Sequence, residues 1–306
     1  MKTFNLILAS PRGFCAGVER AIETVKKAIA RHGSPVYVLH EIVHNKHVLE
    51  ELEGLGAIFV EELQDIPAGE ICIFSAHGVS TAVEKKARLL GLRTIDATCP
   101  LVNSVHRMVE KYYAEDHDVI IIGHHGHPEV EGAAGRVDGK VHIVATEAEA
   151  EAVEVTNPGK VAFVTQTTLS KDDIIGIQQI LARRFPLLRG PKSNICFATE
   201  NRQNAVKKLA RDTDIIFVVG SKNSSNSNRL REVALKAGTQ AYLIDDRADI
   251  DPRWLDGVRS VGITAGASAP ERLVKGVVDC LRELGAAKVL TMEGHEENIH
   301  FRAASL

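Results

Sequence analysis

Cys99-Pro100-Leu101-Val102-Asn103-Ser104-Val105-His106 reads as the start of a helix headed by a cysteine. Pro100 suits a first helical turn, where its missing N–H is no loss. The pattern recurs twice. Cys15 heads Ala16-Gly17-Val18-Glu19-Arg20-Ala21-Ile22, and Cys196 heads Phe197-Ala198-Thr199-Glu200-Asn201-Arg202-Gln203. After each cysteine comes a strand-like run ending in a polar loop. These loops are His44-Asn45, His127-Pro128-Glu129 and Ser224-Ser225-Asn226, at nearly equal distances from their cysteines. A later run in each segment ends in Ala76-His77-Gly78, Thr165-Gln166-Thr167-Thr168 or Ala265-Gly266-Ala267-Ser268.

Outward from these anchors the chain alternates strand and helix. Apolar, β-rich runs occupy Val36–Leu39, Ile71–Phe74, Val119–Ile122, Val161–Val164, Ile215–Val219 and Ser260–Ile263. Helical periodicity follows over Thr81–Leu90, Asp172–Arg184, Arg229–Ala237 and Pro270–Leu284. That alternation predicts an α/β fold of parallel sheets with crossover helices. The repeat divides the chain into three α/β units over 14–98, 99–195 and 196–284. A strand within 1–13 is expected to join the third unit, and 285–306 reads as a C-terminal tail. Ligands of open α/β sheets bind beyond the carboxyl ends of the strands. Three such units facing one axis would gather three thiols and six polar loops around one cavity. Coincidence is the competing explanation, because strand–helix units have a narrow range of lengths.

The totals narrow the function. The 306 residues suffice for two or three compact domains. With 37 basic and 40 acidic side chains the net charge is −3, which makes no case for a nucleic-acid or membrane partner. Aromatics are only 5%, too few to favour base stacking. The apolar start Phe4–Ala9 is too short for a secretory signal, and no run reaches the length of a membrane span. A cytoplasmic location is expected. Five cysteines there point to metal, redox chemistry or plain burial rather than disulfides.

A cysteine at a helix N-terminus sits in positive backbone potential, which favours an anionic ligand. Three such thiolates could hold a metal, although their separation fits neither a zinc ribbon nor a compact ferredoxin run. A cluster bound by three cysteines instead of four leaves one iron open. Zinc on three thiolates is the other reading, and it would imply hydrolytic or structural work. Cys72, within Ile71-Cys72-Ile73-Phe74, and Cys280, beside Val277 and Val278, read as buried and inert.

Ser221-Lys222-Asn223-Ser224-Ser225-Asn226-Ser227-Asn228 supplies hydroxyls, amides and N–H groups that could surround a phosphate. An ordinary polar loop ending in a helix cap reads equally well. His44, His77 and His127 occupy corresponding loops, and each can donate hydrogen bonds beside an anion. Glu129 could deliver a proton from a closed cavity, or be a solvent-facing loop residue. Thr167 could orient a substrate hydroxyl, or serve only the turn.

Together these motifs resemble the 4-hydroxy-3-methylbut-2-enyl diphosphate reductase family. The matching stretches include Pro11-Arg12-Gly13-Phe14-Cys15-Ala16-Gly17-Val18, His40-Glu41-Ile42-Val43-His44-Asn45 and Phe74-Ser75-Ala76-His77-Gly78-Val79-Ser80. They continue through Asp96-Ala97-Thr98-Cys99-Pro100, Gly126-His127-Pro128-Glu129-Val130-Glu131-Gly132, Thr165-Gln166-Thr167-Thr168 and Thr264-Ala265-Gly266-Ala267-Ser268. The resemblance implies a trefoil of three pseudo-threefold-related α/β units around a central iron–sulfur cluster. It implies a 4Fe–4S cluster on Cys15, Cys99 and Cys196, with one open iron, and 3Fe–4S or metal-free forms in some samples. It implies diphosphate contacts from His44, His77, His127, Ser224, Ser225, Asn226 and Ser268. Thr199, Thr167 and Glu129 would lie near the reacting end, with Thr167 and Glu129 catalytic. The implied reaction is reductive removal of the allylic hydroxyl, with a ferredoxin or flavodoxin as electron donor. A zinc-dependent diphosphate hydrolase and a regulatory cluster protein remain as rivals.

Overall fold

The computed structural model describes residues 3–305. Met1 and Lys2, at the start of the N-terminal strand region, and Leu306, at the end of the tail, lie outside the described residues. The elements in chain order are β1 (Phe4–Leu8), α1 (Ala16–His32), β2 (Val36–Leu39), α2 (Lys46–Gly54), β3 (Ala57–Val60), β4 (Ile71–Phe74), α3 (Thr81–Leu89), β5 (Arg93–Asp96), α4 (Pro100–Ala114), β6 (Asp118–Ile122) and α5 (Pro128–Ala134). Then come β7 (Val141–Val144), α6 (Glu147–Ala152), β8 (Val161–Thr165), α7 (Lys171–Arg184), α8 (Phe197–Asp212), β9 (Ile215–Val219), α9 (Ser225–Lys236), β10 (Gln240–Ile244), β11 (Ser260–Ala265), α10 (Glu271–Glu283) and β12 (Ala286–Thr291).

The strands form three sheets, ordered β10-β9-β11-β1-β12, β3-β2-β4-β5 and β7-β6-β8. Every pairing between these strands is parallel, as the strand–helix alternation predicts. Two compact units result. The first comprises residues up to Ala16, His44–Val48 and Phe197–His300, and contains the five-stranded sheet. The second comprises Gly17–Val43, Leu49–Cys196 and the residues from Phe301, and contains the other two sheets. Among the described residues, no helix is long and apolar enough to cross a membrane.

In the first unit, successive residues of β9 point into opposite cores, as the two-residue strand period requires. Ile215, Phe217 and Val219 pack with Val274, Val277 and Leu281 of α10. Ile216 and Val218 pack with Val206 and Leu209 of α8 and with Leu230 and Val233 of α9. Helices cover both faces, so the whole strand is buried and its sequence is continuously apolar. Burying a side chain such as Phe217 contributes about 2–3 kcal/mol.

The second unit repeats the scheme. Ile120 and Ile122 of β6 pack with Ile174, Ile177 and Leu181 of α7. Val119 and Ile121 pack with Val105 and Val109 of α4 and Val130 of α5. Cys72 of β4 packs with Phe74, Ala87 and Leu92, and burial pushes its thiol up to about 12. It is an inert core residue. Cys280 is only half-buried against the first unit's core, with its thiol pushed up by burial and by Glu283.

Two differences from the sequence reading have physical causes. Residues 286–291, read as tail, form β12 on the outer edge beside β1. As an edge strand it is covered on few sides, and its mixed sequence carries no burial signal. Helix α9 begins at Ser225, not Arg229. The Ser224 hydroxyl caps it by accepting the Ser227 N–H, so four of the polar residues form its first turn.

Candidate functional site

In the second unit, polar residues gather on loops at the carboxyl ends of β4, β6 and β8. The loop after β6 ends at His127, which caps α5 by accepting the Glu129 N–H on Nδ1 at 3.2 Å. That bond assigns the hydrogen of a neutral ring to Nε2. Pro128 occupies the first helical position, and Glu129 follows it. This start turns the Glu129 side chain inward, where it is 3% exposed. One carboxyl oxygen accepts the Thr167 N–H at 2.7 Å, and the other accepts the Thr167 hydroxyl at 2.9 Å. Burial raises the Glu129 pKa to about 7, although both Thr167 bonds oppose the rise.

The loop after β4 approaches the same corner. His77 and His127 meet edge to face with ring centroids 6.0 Å apart. His77 Nδ1 lies 3.2 Å from the Ser75 hydroxyl. Two glycines allow the approach. A Cβ on Gly132 of α5 would stand 3.1 Å from the Gly78 carbonyl oxygen. A Cβ on Gly78, whose φ is +77°, would stand 2.6 Å from the His106 ring. His106 is buried beneath that loop. Burial, aided by Arg136, lowers its pKa to about 4, so it is neutral near pH 7.

Two of the helix-heading cysteines lie in this unit. Cys99 immediately precedes α4, and its N–H donates to the Ala76 carbonyl at 3.0 Å. Cys196 ends the long segment of this unit that begins at Leu49, and its N–H donates to the Thr167 carbonyl at 3.1 Å. Thr167 therefore holds Glu129 with its N–H and hydroxyl, and Cys196 with its carbonyl. The preceding stretch is fixed as well: Asn194 accepts the Thr165 N–H at 2.9 Å.

In the first unit, the loops after β9 and β11 are pressed together. A Cβ on Gly220 or Gly266 would stand 2.2 Å or 2.0 Å from the Ser227 hydroxyl oxygen. Ser227 donates to the Ser224 hydroxyl at 3.0 Å. Asn226 is buried, and its side-chain carbonyl accepts the Ala267 N–H at 2.9 Å. Its Nδ2 is buried without a hydrogen-bond partner, as is Nδ2 of Asn45. Ser268 is buried and donates to the His44 carbonyl at 2.9 Å. Ser225 and His44 are half-exposed, and Thr199 is buried in the first turn of α8. Cys15 heads α1, with its N–H donating to the Ala267 carbonyl at 3.2 Å.

None of the five cysteines forms a disulfide, and Cys15, Cys99 and Cys196 are each half-exposed. Among the described residues, no three His, Cys, Asp or Glu side chains group to hold a single metal ion. A single ion needs all its ligands on one atom, whereas each thiolate of a cluster binds a different iron.

A family model described as LytB protein matches residues 6–282. The chain belongs to the LytB family. A 4-hydroxy-3-methylbut-2-enyl diphosphate reductase of Desulfotalea psychrophila is 67% identical over 305 residues, covering 100% of this chain and 97% of that relative. One of the same name from Bordetella pertussis is 56% identical over 298 residues, covering 97% and 92%. Among solved structures, the E-1-hydroxy-2-methyl-but-2-enyl-4-diphosphate reductase of Plasmodium falciparum matches with a TM-score of 0.93. Its identity is 39%, over 97% of this chain and 94% of that one. A second, (E)-4-hydroxy-3-methyl-but-2-enyl diphosphate reductase, described as the terminal enzyme of the non-mevalonate pathway, matches with a TM-score of 0.66. Its identity is 33%, over 92% and 100% of the two chains.

Sequence reading missed several supports in this LytB chain. Gln166 is buried and accepts the His124 N–H on Oε1 at 3.0 Å, while its Nε2 donates to Thr168 at 2.9 Å. Arg202 is 1% exposed and lies on α8 six residues beyond Cys196. A lone arginine in a helical stretch reads as a solvated charge, so neither composition nor periodicity marks it.

Thr167→Val isolates one part of this LytB geometry. The N–H bond to Glu129 survives and the hydroxyl bond is lost. That hydroxyl holds the carboxyl pKa down, so Glu129 is expected to titrate above its present value of about 7. Carboxyl infrared difference spectra of the metal-free protein across pH measure the midpoint. A midpoint at or below 7 would show that the hydroxyl does not stabilise the carboxylate.

Proposed function

We propose that this protein reductively dehydroxylates (E)-4-hydroxy-3-methylbut-2-enyl diphosphate to isopentenyl and dimethylallyl diphosphates. The names of its LytB relatives support the reading. The observation that carries it is Glu129: a buried carboxyl with a pKa near 7, held by Thr167, whose carbonyl also holds Cys196. The allylic C–OH bond breaks, two electrons and two protons enter, and a C–H bond and water form.

The donor set suits the cofactor. Cys15, Cys99 and Cys196 each head a helix, are half-exposed and are free of disulfides. They would hold a 4Fe–4S cluster, leaving one iron without a side-chain ligand. When bound, that cluster supplies the electrons and a Lewis acid. Glu129 supplies the proton with which the hydroxyl leaves as water. Thr167 orients that hydroxyl, and Thr199 borders the reacting end. His44, His77, His127, Ser224, Ser225, Asn226 and Ser268 bind the diphosphate. The buried Nδ2 groups of Asn226 and Asn45, which lack partners, favour an acceptor-rich ligand. Binding the remote diphosphate orients the reacting carbon.

A ferredoxin or flavodoxin would deliver the electrons. A cytoplasmic setting suits cysteines that form no disulfide.

Anaerobic protein reconstituted with iron and sulfide is expected to oxidise reduced methyl viologen only when the hydroxylated diphosphate is added. Iron- and sulfide-loaded protein that leaves the dye reduced would overturn the activity. Bound zinc without sulfide would overturn the cofactor.

A further inference from the structure

Beyond β12 the chain runs back over the first unit, with side chains exposed from residue 293 to residue 300 except Glu297. At one point the backbone presses close: a Cβ on Gly294 would stand 1.9 Å from the Ser10 carbonyl oxygen. At another, Glu297 turns inward, its side chain 13% exposed. Both its carboxyl oxygens accept from Arg202 Nη1 at 3.0 Å, and Oε1 also accepts from Asn201 Nδ2 at 3.0 Å. Beside this contact lies a polar cleft of about 440 Å³ bordered by Arg12, Phe14, Arg202 and Asn298. The segment is therefore anchored by one carboxylate and not by apolar burial.

Arg202 spends its other donors on the chain leading into Cys15. Its Nε and Nη2 donate to the Gly13 carbonyl at 2.9 and 2.7 Å, and Nη2 donates to the Phe14 carbonyl at 3.0 Å. Nη1 also donates to the Ala198 carbonyl at 2.9 Å. A guanidinium this buried needs a countercharge, because an uncompensated buried charge is strongly unfavourable. Among the described residues, Glu297 is the carboxylate paired with it.

We infer that Glu297 is a positioning residue for the Cys15 thiol, acting through Arg202. With the carboxylate present, the guanidinium stays buried and clamps the two carbonyls that precede Cys15. Without it, the guanidinium turns toward the cleft and releases them. The stretch then relies on the bonds from the Gly13 N–H to the Ala265 carbonyl and from the Cys15 N–H to the Ala267 carbonyl, both at 3.2 Å. The inference rests on the proposed cluster only for its consequence for iron; its effect on the thiol stands alone.

The test reads the thiol directly. Chelator-treated, reduced protein is alkylated with iodoacetamide, and each cysteine is followed by mass spectrometry, with Cys99 and Cys196 as internal references. In Glu297→Ala, Cys15 is expected to react about tenfold faster while the references stay within about twofold. Glu297→Gln keeps the hydrogen bonds and loses the charge, so about a threefold increase is expected, and it serves if the alanine variant does not fold. Arg202→Lys should match Glu297→Ala, because one ammonium cannot reproduce the planar fork across both carbonyls. Reconstituted Glu297→Ala should also lose iron faster to a chelator. An unchanged Cys15 rate, or equal acceleration of all three cysteines, overturns the inference. Unaltered protein that takes up no iron counts against the cluster and leaves the alkylation result standing.

Discussion

Glu129→Gln is expected to lower turnover by about 10²- to 10⁴-fold while iron content and substrate affinity stay near those of the unaltered protein. Glutamine has the same shape and can still accept the Thr167 N–H, so the loop is preserved. It has no proton of comparable acidity. The native carboxyl, raised to about 7 by burial, carries its proton in about half the molecules at neutral pH. Deprotonation above that pH removes the donor. Turnover of the unaltered protein should therefore fall on the alkaline side of about 7, and the residual turnover of the glutamine variant should lack that limb. Steady-state kinetics across pH, normalised to bound iron, make the measurement. Near-normal turnover in an iron-replete variant would remove Glu129 from the proton path.

Cys99→Ser should leave less than about a tenth of the iron and sulfide after desalting. A serine hydroxyl stays protonated at neutral pH and offers iron no anionic sulfur. The backbone should tolerate the change, because Pro100 starts α4 and the residue-99 N–H remains bonded to the Ala76 carbonyl. Metal loss would then report the ligand and not the fold. Cys280→Ser is the matched control, since that cysteine lies on the outer part of α10 against the first unit's core, and it should retain full iron. Iron and sulfide assays with absorbance near 400 nm distinguish the outcomes. Unchanged iron in Cys99→Ser would refute the ligand assignment.

The parts of the fold that the sequence reveals are those where burial and local chemistry agree. β4 and β9 are continuous runs of buried apolar residues, and both appear with the bounds read from sequence. Pro100 marks the start of α4, and Ser170 caps α7, which begins one residue before the expected Asp172. The bordering strands were harder. β5 is exposed at three of its four positions and β12 has no buried position, so neither carries an apolar signal. At the site, Glu129 and Thr167 are legible as types and positions, but their contact joins residues far apart in the chain. The pairing of Arg202 with Glu297 is harder still. Each looks like an ordinary surface charge, and only the tertiary structure buries one and turns the other inward.

The confinement of Glu129 also affects the fold's resistance to unfolding. In the unfolded chain its carboxyl ionises near the ordinary 4.5, and in the native state near 7. Folding at higher pH must therefore either keep a proton that the open chain has released or bury a bare carboxylate. This residue's full contribution is present below about pH 4.5 and is lost as pH rises through about 7, a penalty of about 3 kcal/mol on the alkaline side. Asp118 acts in the opposite sense. Burial pushes its carboxyl up, but the Thr156 and Asn157 N–H groups and His142 outweigh that and hold it below the ordinary value. Its support is lost on acidification instead. The carboxyl held for proton transfer thus favours acidic solution, while Asp118 and the buried neutral ring of His106, held down to about 4, pull the other way.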